Sequence, residues 1–162
     1  RPLMKRLLIL LLLAAGTALA AMAQREQDFA ARFNTLYGER YDLELRTISP
    51  QMMERILRLD DVESNDRAAS VLAQLKSIRI LTAGRTVAEA ESLFTMAEAL
   101  ADKNRRRYRL HAHAAGQSVY TRRHGNQLVE LVVIRIKDPH TFYLIDLTGN
   151  MSDDIISQIL SI

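Results

Sequence analysis

Residues 108–147 read YRLHAHAAGQSVYTRRHGNQLVELVVIRIKDPHTFYLIDL, and the period of this stretch decides the fold. Tyr108 to Ala114, Ser118 to Arg123, Leu128 to Lys137 and Phe142 to Leu147 carry the period of two that sends successive side chains to opposite faces of a strand. The joints are Ala115-Gly116-Gln117, Gly125-Asn126 and Asp138-Pro139-His140. Glycine, asparagine and proline there favour tight reversals, so the four strands are expected to form an antiparallel meander.

Upstream the period is mostly helical. Phe29, Phe33, Leu36 and Tyr37 recur at spacings of three and four, with Gly38 to end the turn. A half-exposed strand is expected over Tyr41 to Ile48. Ser49-Pro50 then opens a helix through Met52, Met53, Ile56, Leu57 and Leu59, because serine can cap a free N–H and proline fits the first helical position. Asp60 to Arg67 is a loop candidate, Ala68, Val71, Leu72 and Leu75 stripe another helix, and Ser77 to Thr82 reads as a strand. Thr86-Val87-Ala88-Glu89 is a capping box, followed by the apolar face Ala90, Leu93, Phe94, Ala97 and Leu100. Beyond the meander Gly149 breaks the last strand, and Ser152 with Asp153 and Asp154 opens a short helix carrying Ile155, Ile156, Ile159 and Leu160. This order predicts one α+β domain: an antiparallel four-stranded C-terminal meander in a mixed sheet, with helices packed mainly on one face.

The strongest local charge is the cluster Lys103, Arg105, Arg106, Arg107 and Arg109. Strict alternation through the first hairpin puts Arg107, Arg109, His111 and His113 on one face, with Ser118, Tyr120, Arg122 and His124 beside them. Guanidinium forks grip carboxylate or phosphate and tyrosine can stack, so Arg107, Arg109, His111, His113, Tyr120, Arg122 and His124 are the candidate ligand-binding set. The plainer reading is a solvated outer face, on which arginine stems cover apolar surface. Three histidines on such a face could hold zinc, but a dication among arginines with no carboxylate in support is disfavoured. No metal and no cofactor are therefore expected.

The third meander strand is greasy on both sides. Leu128, Val132, Ile134 and Ile136 alternate with Val129, Leu131 and Val133, and Phe142 and Leu144 are expected to extend the second patch. Cover by the chain itself, for instance by the N-terminal helix, is favoured over a patch awaiting a second copy, since large bare apolar patches are rare on soluble monomers.

Catalytic signatures are lacking. No Gly-x-Ser-x-Gly turn, His-Glu-x-x-His pair or phosphate-cradling glycine loop occurs. Asp60-Asp61 reads as loop solvation and Asp153-Asp154 as helix capping. No catalytic residue is assigned.

The amino end speaks to destination. Met4 precedes Lys5-Arg6, an apolar run from Leu7 to Ala15 and small residues ending Ala21-Met22-Ala23, the three parts of a secretory signal peptide. The greasy core is too short to span about 30 Å of hydrocarbon, and charged Arg25, Glu26 and Asp28 follow at once. Residues 1–23 are therefore expected to be a cleaved leader, with Arg1 to Leu3 upstream of the start, and 24–162 a single domain. Arg1, Lys5 and Arg6 lie in that leader and no acid does, so its removal takes the formal charge from +3 to zero. Global attraction to nucleic acid or anionic membrane is then excluded. The chain has no cysteine, which removes disulfides, thiolate chemistry and a lipid-bearing N-terminal cysteine. A soluble periplasmic or secreted protein is expected, not a lipoprotein and without stable membrane insertion after cleavage.

With the leader, the helix-rich first half and the meander, the ending Leu144-Ile145-Asp146-Leu147-Thr148-Gly149-Asn150-Met151-Ser152-Asp153-Asp154-Ile155 resembles the domain of unknown function 4252 family. That resemblance implies a small exported protein of Gram-negative bacteria and, through gene neighbourhoods rich in sigma and anti-sigma factors, a link to envelope signalling. It brings no functional residues. The expected function is a noncatalytic exported binding or interaction module, whose partner is an envelope protein or a small anionic ligand. The alternatives are a small periplasmic enzyme with a site assembled only in three dimensions, or a homo-oligomeric structural protein. A buried, perturbed carboxylate joined to a histidine in one pocket would favour the enzyme.

Overall fold

The side chain of Asp28 accepts a hydrogen bond from the Ala31 amide at 2.9 Å and so starts the first helix, α1 (Phe29–Tyr37). The computed structural model describes residues 27–58, 66–83 and 86–160. The expected leader and most of the expected Asp60 to Arg67 loop lie outside these. After α1 come β1 (Glu44–Ile48), α2 (Pro50–Leu57), α3 (Asp66–Ala73), β2 (Leu75–Ala83) and α4 (Val87–Lys103). The second half is β3 (Arg109–Ala114), β4 (Gln117–His124), β5 (Gln127–Asp138), β6 (Thr141–Met151) and α5 (Asp154–Leu160). The caps read from sequence operate as chemistry requires: Ser49 accepts from the Met52 amide at 3.3 Å, and Thr86 from the Glu89 amide at 3.2 Å.

The strands form one sheet in the order β1-β2-β6-β5-β4-β3. The α+β class and the C-terminal meander are as expected. Two details differ. Every pairing is antiparallel, so the sheet is not mixed. Helices also pack on both faces, because β5 and its neighbours present two apolar surfaces. On one face α1 and α4 bury Phe29, Phe33, Leu93, Phe94 and Ala97 against Leu81, Val132, Ile134, Phe142 and Leu144. On the other, Met53 of α2, Val71 of α3 and Ile155 and Ile156 of α5 cover Val119, Leu128, Leu131, Val133, Leu147 and Met151. The chain thus covers most of its own second face, but α1 lies on the first.

Bulges explain which side chains were misassigned. The register shifts between Leu128 and Glu130, which moves Leu128 to the face of Leu131 and Val133. Phe142 and Leu144 join Val132 and Ile134 instead. Gly149 does not end β6, which continues to Met151. A Cβ there would sit 2.1 Å from the Gln74 carbonyl oxygen, so glycine serves close backbone approach at a bulge between Leu75 and Ser77. Leu75 accordingly opens β2 and does not continue α3. Among the described residues no helix is long and apolar enough to cross a membrane.

Candidate functional site

Hairpin β3–β4 carries the candidate ligand-binding residues except Arg107, which lies in the turn before β3, and its register decides which of them meet. Ala114 pairs with Gln117 and His113 with Ser118, as a two-residue reversal at Ala115-Gly116 dictates. Then a bulge at His111 shifts the register by one: Leu110 faces Tyr120, and Arg109 faces Thr121. A one-residue slip exchanges the two faces of a strand. Arg109 is thereby parted from Tyr120 and Arg122, and the expected single basic face is split in two.

One half turns inward toward α4 and is satisfied by acids of the chain. Ser118 donates to Glu98 at 2.8 Å and lies 2.9 Å from His113 Nδ1. Tyr120 donates to Asp102 at 3.1 Å; burial first, then this carboxylate, pushes its phenol well above the ordinary value. Arg122 donates through Nε to Glu130. Burial works against its charge, but the bond to Glu130 and that carboxylate's charge prevail, and its pKa rises. His111 and His124 are exposed, the first at the bulge and the second at the hairpin end, paired in register with Gln127.

The Glu98, Ser118 and His113 group is a tie between α4 and β4 and lacks the layout of a nucleophile. The serine is fully buried, and its proton points to Glu98. A nucleophile needs its oxygen open to substrate and its proton aimed at the base.

Glu130 and Asp146, both fully buried, form the second polar centre, which sequence reasoning missed. Glu130 accepts from the Phe29 amide at 2.8 Å and from the Tyr108 hydroxyl at 3.0 Å, besides Arg122. Asp146 accepts from the Ala30 amide at 2.8 Å. Asp28, beside them, pairs with Arg79 at 2.8 Å. Sheet carboxylates thus satisfy the free amides of α1, where the helix dipole favours negative charge. Burial, and then the charges of Glu130 and Asp28, hold the Asp146 carboxyl well above the usual range and favour its protonated form. Asp146 Oδ1 is buried with no hydrogen-bond partner among the described residues, an environment that disfavours the charged carboxylate. Tyr108 is pushed upward by its burial and by Glu130. The hydrogen-bond partners of Glu130 and Asp146 are the Phe29 and Ala30 amides, the Tyr108 hydroxyl and the Arg122 guanidinium, with no histidine among them in the described residues. A signal for this centre was present in sequence as acids at inward positions of two apolar strands, Glu130 among Leu128 to Val133 and Asp146 between Ile145 and Leu147.

The other half of the basic cluster forms a cleft of about 400 Å³, lined by Arg106, Arg107, Arg109, Arg123, Thr121 and Asn126. Arg107 also donates to the Gln27 carbonyl at 3.2 Å and stacks over Tyr108. Arg123 reaches Asp153, just before α5, at 2.6 Å. Arg106 and Arg109 are exposed and make no ion pair among the described residues. No Asp or Glu lies between Asp102 and Glu130 to neutralise the segment. The cleft therefore combines Arg107 and Arg109 of the expected set with Arg106 and Arg123, and omits Tyr120 and Arg122. Among the described residues no group of three or more His, Cys, Asp or Glu is placed to hold a metal ion.

Fold and site define a small α+β domain with a single antiparallel sheet, helices on both faces and a cationic cleft at one hairpin. The chain belongs to the family described as domain of unknown function (DUF4252), whose model matches residues 37–159. That span holds the sheet, the cleft and both buried acids, and meets α1 only at Tyr37. No curated protein and no solved structure is significantly similar to the chain.

Proposed function

We propose that this protein is an exported, noncatalytic binding module of the cell envelope that takes a small anionic ligand in the arginine cleft. The observation that carries this reading is the convergence of Arg106, Arg107, Arg109 and Arg123 on one cavity. Arginine presents planar donors that match carboxylate or phosphate two at a time. Tyr120, Arg122 and Ser118 are held by Asp102, Glu130 and Glu98, whereas Arg106 and Arg109 of the cleft make no ion pair among the described residues. Export is supported by the leader-like composition of residues 4–23, and envelope signalling is the process such a module would serve.

Calorimetric titration of the processed protein with pyrophosphate and, separately, with citrate tests the reading. At least one anion is expected to bind with an affinity that falls as salt rises. The double variant R106A/R109A should lose tenfold or more. Absence of binding to both anions, or equal binding by the variant, overturns the assignment. Intact mass of the protein recovered from the envelope fraction tests export, with Gln24 expected at the amino end; a chain retaining Met4 in the cytosol overturns it.

A further inference from the structure

The geometry points to a second binding site, for a free single-chain carboxylate amphiphile, in the apolar cleft between α3 and α5. The cleft encloses about 330 Å³, at the small end of the range of ligand pockets. Its floor is Ile78 and Leu147, which face each other across β2 and β6. Val71 and Leu72 of α3, Leu75 of β2 and Ile159 of α5 form the walls. Leu72, Ile78 and Ile159 remain partly exposed although apolar. The two helices are short, eight and seven residues, and among the described residues they leave this part of the second face open, where the seventeen-residue α4 lies over the first. Gln158 is the one uncharged polar side chain on the lining, so water finds few polar partners there, whereas a hydrocarbon chain gains the transfer free energy of whatever surface it buries.

Charge selects the headgroup. Arg67 is the one charged side chain that lines the cleft among the described residues; it is exposed, and no ion pair holds it. An acyl chain resting on Ile78 and Leu147 can thus bring a carboxylate to a guanidinium at the mouth, a charge-assisted contact. An uncharged chain gains only the burial. The site is separate from the arginine cleft, and its test is independent of that reading.

Methyl-detected NMR of the full processed chain, titrated with decanoate below its micellar concentration, reads this directly. Saturable shifts of the Leu72, Ile78 and Ile159 methyl groups are expected, at least tenfold weaker with 1-decanol. The exposed substitution Arg67→Glu should weaken decanoate about tenfold or more while leaving the decanol response in place. Unmoved methyls with decanoate overturn the site. Equal affinity for decanoate and decanol, or an unchanged Arg67→Glu variant, overturns the carboxylate class. Shifts that appear only with phosphatidylglycerol vesicles assign the cleft to a membrane surface and overturn the free-amphiphile proposal.

Discussion

Glu130 and Asp146 accept hydrogen bonds from the consecutive backbone amides of Phe29 and Ala30, each at 2.8 Å. Two acids from neighbouring strands thereby dock α1 on the sheet, and the aromatic packing of Phe29 on Tyr108 and Phe33 on Phe142 follows from that placement. Buried carboxylates of this kind are costly unless every oxygen is matched, so the arrangement makes stability sensitive to single-atom changes.

Asp146 should give the domain a pH dependence of unusual sign. Its folded-state pKa is raised, chiefly by burial, so the folded chain keeps a proton that the unfolded chain releases. That contribution is fully present below the unfolded value of about 3.9 and is lost as pH rises through the folded value. Urea midpoints measured from about pH 4 to about pH 8 should fall less steeply in Asp146→Asn than in the parent, since the amide keeps the acceptor and cannot ionise. Asp146→Ala strands the Ala30 amide and should cost about 1–3 kcal/mol. Parallel pH profiles for the parent and the asparagine variant would refute the protonated assignment.

The two arginine pairs of β4 should differ sharply in worth. Glu130 is fully buried and Arg122 largely so, whereas Asp153 is 72% exposed at its side chain. Glu130→Gln leaves Arg122 short of its counter-charge and should cost about 3–5 kcal/mol in guanidinium denaturation. Asp153→Asn should change stability by about 1 kcal/mol or less, and less still in high salt.

Gly149→Ala should destabilise by about 1–3 kcal/mol, because the new methyl meets the Gln74 carbonyl oxygen at 2.1 Å and the Leu75 Cα at 2.9 Å. Gly125 has open space around it but a φ of +61°, so Gly125→Ala should cost about 1–2 kcal/mol through the backbone alone. Thermal unfolding of the two variants separates steric from conformational cost: a further substitution of Gly149 to valine should worsen the loss.

Arg109 and Arg122, on paired strands, should have opposite phenotypes. Arg109→Ala is expected to leave the unfolding midpoint almost unchanged and to weaken anion binding by about 1.5–3 kcal/mol, the worth of a charged hydrogen bond. Arg122→Ala should lower the midpoint and leave anion affinity intact, since its guanidinium is committed to Glu130. Unfolding and calorimetry on the same two variants check both halves.

The local code was legible wherever a short stretch carries its own physics. Period two marked the meander strands, Ser49 and Thr86 marked helix starts, and Gly116 with a φ of +74° marked the reversal that pairs Ala114 with Gln117. Arg107 and Arg109 were legible as part of a cationic cluster, because clustered cations must find solvent or an anion. The partnership of Arg106 and Arg123 was not, since it needs the bulge at His111 and the approach of Asp153 from the chain end.

Composition and pattern by themselves determined the α+β class, the helix caps, the tight reversals and an abundance of apolar strand faces, because each depends on neighbours a few residues apart. Tertiary structure alone decided that helices cover both faces, that the basic hairpin divides between an inward half and a cleft, and that Glu130 and Asp146 seat α1 from 101 and 116 residues away. A bulge inserts one residue and reverses every side chain beyond it, and a buried acid survives only where distant donors converge on it. Neither is written in the local period.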